Sequence, residues 1–186
     1  MKRIFDFLFS LCLGVALTIP ILVIAALVRL TSEGPALYWS DRVGQNNQIF
    51  RMPKFRTMRI DTPPIATHLL ENPDKYVTTI GKFLRKSSLD ELPQLWSVLK
   101  GEMSFVGPRP ALFNQGDLVA LRTKKEINVL VPGITGWAQV NGRDELPIPE
   151  KVELDAYYLK NRSFSFDIKI LFLTLLSVVR AKNVSH

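Results

Sequence analysis

The sequence predicts a small domain of mixed helix and strand carried on an N-terminal membrane helix. Three observations predict it: an apolar run from Ile4 to Val28, two aromatic-rich stretches around the turn-forming Gly44, Asn46 and Asn47, and a C-terminal segment with apolar residues at helical spacing. At 186 residues the chain suits one globular unit with an attachment and is too short for two large domains.

The first element, "IFDFLFSLCLGVALTIPILVIAALV", carries one charge, Asp6. As a straight helix it would measure roughly 37 Å, enough for a hydrocarbon core of roughly 30 Å. It is longer than a signal-peptide core, and no small-x-small cleavage site follows it. Lys2 and Arg3 precede it while Arg29 and Arg42 follow, so both flanks favour the cytoplasmic side. Pro20 removes a backbone donor just past the middle and crowds the carbonyl four residues back. A helix that dips into one leaflet and returns satisfies both flanks; a spanning helix with a proline kink is the other reading, and these features leave both open.

Next, "PALYWSDRVGQNNQIFRMPKFRTM" reads as a hairpin, with Pro53 confining the second arm to an edge or a bulge. Alternation puts Lys54 and Arg56 on one face and Phe55 and Thr57 on the other. The polar, proline-bearing "RIDTPPIATHLLENPDKYVT" reads as a loop, either over the active face or simply connecting elements. Near the end, "FSFDIKILFLTLLSVVRA" is an amphipathic helix too short in its apolar part to span a bilayer, so it packs into the core or lies in the interface. Beside a membrane-dipping N-terminus the interfacial reading gains weight.

Charge and residue usage bound the chemistry. A net charge of +7 suits phosphate-bearing partners or anionic lipid, with nucleic acid the competitor, although no nucleic-acid reading motif is present. The single Cys12 permits no intramolecular disulfide, which fits a reducing cytosol. His68 and His186 stand apart without cysteine neighbours, so any metal is to be held by oxygen.

Within "KSSLDELPQLW", Asp90 and Glu91 stand side by side. Ser88 and Glu91 form Ser-x-x-Glu, a capping box that explains Glu91 without chemistry. Pro93 is comfortable only in a first helical turn, so both acids belong at a helix N-terminus, where the free N–H groups favour the ionised form and can help hold a phosphate. Adjacent helical residues diverge by about a hundred degrees, so the two acids cannot play the same role on one substrate atom; an attacking carboxylate beside one that positions a cation or orients it is one outcome. Attack on a phosphate also needs cations. Arg85 and Lys86 lie just upstream, Arg109 stands in "GPRP" and Arg143 in "NGR". Arginine suits bidentate phosphate contacts, although any one of them is more often an ordinary surface charge.

The stretches "SSLDELPQLWSVLKGEMSFVGPRP", "VPGITGWAQVNGR" and "KFRTM" closely resemble the bacterial sugar transferase family, the monotopic phosphoglycosyl transferases, in its minimal catalytic form. The fold this implies is α+β: residues 1–30 a re-entrant membrane helix, residues 31–186 a cytoplasmic, membrane-associated catalytic domain with interfacial helices. The activity it implies is transfer of a sugar-1-phosphate from a UDP-sugar to polyprenyl phosphate at the cytoplasmic face of the bacterial inner membrane. By the same resemblance Asp90 is the nucleophile, forming a covalent phosphosugar intermediate as UMP leaves, and Glu91 assists with Mg²⁺ or with acceptor activation. Asp90 and Glu91 are the expected metal ligands. Lys54, Arg85, Arg109 and Arg143 match the family's basic substrate-binding positions, and Asp167 matches an acidic one. UDP-sugar, polyprenyl phosphate and anionic lipid are the expected partners, nucleic acid is not, and a homo-oligomer is left open. Where the family often has Ser-Pro in the membrane helix, this chain has Ile19-Pro20, and Thr18 is placed to bond back to the helix instead. The alternative function is a non-catalytic membrane anchor that recruits glycan-assembly enzymes.

Overall fold

The computed structural model describes residues 1–63, 72–142 and 146–180. Helices α1 (Lys2–Ala16) and α2 (Thr18–Thr31) meet at Leu17 with a bend of 64°. Pro20 explains the position of the break. It has no N–H for the Ala16 carbonyl, so the ladder closes with Leu17 N–H on Leu13 O (2.8 Å) and restarts with Ile21 N–H on Leu17 O (2.9 Å). Pro20 thus sits in the first turn of α2, where a missing donor is tolerated. The Thr18 hydroxyl donates to Gly14 O at 2.8 Å, as its place beside the break predicts.

Among the described residues no single helix is long and apolar enough to cross a membrane; only the bent pair reaches that length and composition together. Both ends of the pair rest on the rest of the protein. Arg3 donates to Val98 O and Leu99 O at 2.5 and 2.6 Å, binding two carbonyls at the C-terminal end of a helix, where cations are favoured. Asp6, 3% exposed, accepts the Phe105 N–H at 3.2 Å, which accounts for the one charge inside the apolar run. At the far end, Ile24 and Val28 pack with Phe55 and Leu84. Ile4, Leu8, Leu11 and Val15 on α1, and Ile19, Leu22 and Val23 on α2, stay exposed.

Strands β1 (Leu37–Val43) and β2 (Ile49–Phe55) form the expected antiparallel hairpin, with Tyr38 opposite Lys54 and Arg42 opposite Phe50. Asn46 and Asn47 supply the turn's left-handed residues, at φ 54° and 61°. The sheet order is β2-β1-β4, with β4 the short strand Ala111–Leu112, so Pro53 does occupy an edge strand. Helix α3 (Thr79–Ser87) leads into a 3-10 helix (Leu89–Gln94), and that runs into α4 (Leu95–Lys100). Of the loop between β2 and α3, residues 64–71 lie outside the described residues.

Strand β3 (Ser104–Val106) pairs in parallel with β5 (Gly133–Thr135), with the short β4 (Ala111–Leu112) and α5 (Gly116–Lys124) between them in sequence. A Cβ at Gly136 would stand 2.1 Å from Gly107 O, and one at Gly107 2.4 Å from Val131 O. The glycines of "VGPRP" and "GITG" therefore serve each other: two backbones meet with no room for side chains. Helices α6 (Trp137–Val140), α7 (Ile148–Asn161) and α8 (Phe164–Arg180) complete the chain's described elements.

The main core gathers Met52, Leu95, Val98, Met103, Phe105, Val106, Tyr158 and Ile170. Helix α8 packs into the core on one side, as one of its two readings expects, and leaves apolar residues uncovered on the other. Ile170 is fully buried in that core, whereas Phe164, Ile168, Phe172 and Leu175 form an exposed apolar stripe.

Candidate active site

The acid pair stands in the first turn of the 3-10 helix, but no capping box forms. Ser88 adopts a left-handed conformation (φ 57°) as the C-cap of α3, and its side chain makes no cap bond. Instead of reaching back to Ser88, the Glu91 side chain turns across to the hairpin. Its Oε1 accepts Lys54 Nζ at 2.7 Å and both terminal nitrogens of Arg109 at 3.4 Å. Lys54 arrives from the β2 edge and Arg109 from the turn after β3, so three segments converge on one oxygen.

Burial and charge set the ionisation of this cluster. Burial acts to raise the Glu91 carboxyl, but the Lys54 and Arg109 charges and their hydrogen bonds outweigh it and hold the group well below the usual carboxylate range. Asp90 is 8% exposed, and burial pushes its carboxyl up, with the Lys54 charge opposing and the Glu91 charge adding. Burial likewise lowers the Lys54 ammonium and the Arg85 guanidinium, against the pull of Glu91 and Asp90 respectively. The outcome is two unlike acids: Glu91 is fixed as an anion between cations, while Asp90 is a more basic carboxylate under the field of Lys54, Arg85 and Arg109. A raised pKa makes a carboxylate a better nucleophile than its neighbour.

The other expected positions divide. Lys54, Arg85 and Arg109 are brought together with the acids, whereas Arg56, on the same strand face as Lys54, donates to Pro35 O at 2.9 Å. Arg143 lies outside the described residues. Asp167 is placed at the start of α8, accepting Lys2 Nζ and the Tyr158 hydroxyl at 2.6 Å each. The sequence reading missed Arg42 as a site residue, although it adds to the charge felt by Lys54. The hairpin register carried the signal: folding the two arms about Asn46–Asn47 puts Arg42 and Lys54 on one face.

Every described contact of Glu91 falls on Oε1, so Oε2 and the Asp90 carboxylate are the oxygens on offer to a cation. Among the described residues no group of three or more His, Cys, Asp or Glu could form a protein cage. That donor set fits Mg²⁺, which uses one or two carboxylates together with phosphate oxygens and water.

Comparison with known proteins shows the family. The chain is 41% identical over 189 residues to the uncharacterized sugar transferase EpsL of Bacillus subtilis, covering 100% of this chain and 91% of that protein. It is 40% identical over 193 residues to the undecaprenyl-phosphate glucose phosphotransferase of Komagataeibacter xylinus, covering 98% of this chain and 36% of the relative. It is 38% identical over 183 residues to the UDP-glucose:undecaprenyl-phosphate glucose-1-phosphate transferase of Escherichia coli, with shares of 94% and 39%. The chain thus spans less than half the length of these last two. The class these relatives define is a transferase enzyme of sugar phosphates. The chain belongs to the bacterial sugar transferase family, which matches it over residues 1–181.

Proposed function

We propose that the protein transfers a sugar-1-phosphate from a UDP-sugar to polyprenyl phosphate through a covalent intermediate on Asp90. One observation carries the reading: a buried carboxylate of raised pKa, Asp90, stands next to a second one, Glu91, whose Oε1 is already held by Lys54 and Arg109. An Asp90 oxygen bonds to the sugar-bearing phosphorus as the bond from that phosphorus to the bridging oxygen breaks, and UMP departs with the electron pair. A polyprenyl phosphate oxygen then attacks the same phosphorus, giving the polyprenyl diphosphate sugar and freeing the Asp90 carboxylate.

Lys54, Arg85 and Arg109 offset the charge that an anion meets when it approaches phosphate oxygens. Glu91 holds Lys54 and Arg109 in place and, with Asp90, would supply oxygens to Mg²⁺. When bound, that ion neutralises diphosphate oxygens and stabilises the departing phosphate.

The two leading segments divide at about residue 30 in this reading. Residues 1–30 enter one leaflet and return, and residues 31–186 lie on the cytoplasmic face. The support is that Lys2 and Arg3 at one end, and Ile24 and Val28 at the other, all meet the same globular unit. The exposed stripe of α8 and the outward residues of α1 would face lipid.

Purified protein incubated with a panel of UDP-sugars and undecaprenyl phosphate is expected to release UMP. Mass spectrometry of enzyme mixed with its donor alone is expected to show a phosphosugar on Asp90. UMP release that survives Asp90→Asn refutes the nucleophile, and glycan production in cells that survives it favours the anchoring role instead. An N-terminal probe reachable from outside sealed right-side-out vesicles refutes the re-entrant topology.

A further inference from the structure

The turn that carries Arg109 is held by its carbonyls. Pro108 O accepts the Gly133 N–H at 2.9 Å, Arg109 O accepts Arg122 Nη1 at 2.8 Å, and Pro110 O accepts Arg42 Nη1 at 3.2 Å. Three successive carbonyls are thus tied to β5, α5 and β1.

Arg122 is itself anchored. Its Nε and Nη2 donate to Asp155 Oδ2 at 3.0 and 2.6 Å, with Arg122 8% and Asp155 2% exposed. Burying such a pair strips both ions of water, and apolar residues of similar size often hold two helices together as well or better. Burial indeed pushes the Asp155 carboxyl up, against the pull of Arg122. Joining α5 to α7 therefore does not require these charges. What they add is a rigid, planar guanidinium with one arm left over, and that arm grips the backbone directly behind Arg109.

We propose that Arg122 and Asp155 are positioning residues, fixing the Arg109 backbone so that its guanidinium meets Glu91. Neither residue touches the reacting atoms; they act through Arg109. The proposal deepens the transferase reading and rests on it for its effect on turnover, though not for the placement of Arg109.

Two variants of the full chain in detergent test it. Arg122→Met/Asp155→Leu replaces the pair with apolar side chains. Arg122→Lys keeps a charge opposite Asp155 but lacks the second arm, and it decides the matter if the apolar pair does not fold. One readout is kcat and KM for UMP release. The other is the rate at which phenylglyoxal labels Arg109, read by peptide mass spectrometry, which needs no turnover.

The expected result is a folded protein with kcat lowered about 10- to 100-fold, the scale of a misplaced catalytic contact, and faster labelling of Arg109. Adding Arg109→Gln to either variant is expected to lower kcat no further than Arg109→Gln alone does. A folded variant with unchanged labelling overturns the proposal, as do losses that multiply with Arg109→Gln. Wild-type protein that releases no UMP from any donor would refute the transferase reading, while the labelling would still decide the positioning role.

Discussion

Replacing Glu91 with Gln isolates the charge at the centre of the site. The carboxylate holds Lys54 at 2.7 Å and Arg109 at 3.4 Å, and the Lys54 and Glu91 side chains are only 15% and 20% exposed. A hydrogen bond to a charged group contributes about 1.5–3 kcal/mol, and glutamine keeps one acceptor for Lys54, so the expected loss is about 2 kcal/mol. In a domain of this size each kcal/mol moves Tm by about 2–4 °C, giving a drop of about 4–8 °C at neutral pH. The pH dependence sharpens the test. Burial raises the Glu91 carboxyl, but Lys54 and Arg109 more than reverse this and depress it below the unfolded value of roughly 4.3. A depressed group contributes stability that is complete above its unfolded pKa and is lost as pH falls toward the folded one. Melting followed by circular dichroism in detergent should therefore show a gap between wild type and variant that is flat from about pH 8 to pH 5 and narrows below about pH 4. No gap at neutral pH, or one that widens in acid, would mean that Glu91 is not the anion that binds these cations.

Three other substitutions have contrasting outcomes. Asp90→Asn should end UMP release yet melt no lower than wild type, because burial makes the Asp90 charge costly in the folded state; a marked loss of Tm would make it a structural acid. Asp6→Leu leaves the buried Phe105 N–H without its acceptor and should cost about 1–3 kcal/mol, whereas Asp6→Asn keeps the acceptor and most of the stability in the same melts. Pro20→Ala gives the Ala16 carbonyl a possible donor and should reduce the 64° bend, seen as a longer distance between spin labels placed near the far ends of α1 and α2. An unchanged distance would show that tertiary contacts set the bend rather than the proline.

Local rules made parts of this structure legible in the sequence. Asn46 and Asn47 marked the hairpin turn, Pro53 marked an edge, and Thr18 was placed to bond back beside the break, because each effect is decided within a few residues. The capping box failed for an equally physical reason. Ser88 also ends α3, and once the chain turns left-handed there its hydroxyl no longer faces the next helix, while Lys54 offers Glu91 a stronger partner. Arg85 and Arg109 were candidates from their places just before the acids and on a glycine-proline turn, whereas Lys54 was placed at the site through family likeness, since nothing local says which of many basic residues will meet across the fold. Arg122 and Asp155 show the limit. Each lies on a helix where a charge reads as solvated, and only the packing of α5 on α7 brings them together out of water.

The opening residues of α1 bear on the site as well as on any membrane. Arg3 grips the end of α4, the helix that continues directly from the acid pair. Asp6 holds the β3 backbone at Phe105, one residue before Val106 and four before Arg109. Lys2 joins Asp167, whose other oxygen takes the Tyr158 hydroxyl, and that hydroxyl also lies 3.4 Å from Val106 O. The two segments that deliver Glu91 and Arg109 to each other are thus both fastened to the same helical turns. A charge in an apolar run is costly unless it is paired, and Asp6 is paired with the Phe105 N–H, while Lys2 and Arg3 just before the run hold Asp167 and the end of α4. The N-terminal helix is for this reason part of the site's foundation rather than a detachable tether, and any movement of its first turns would act on the spacing between Glu91 and Arg109.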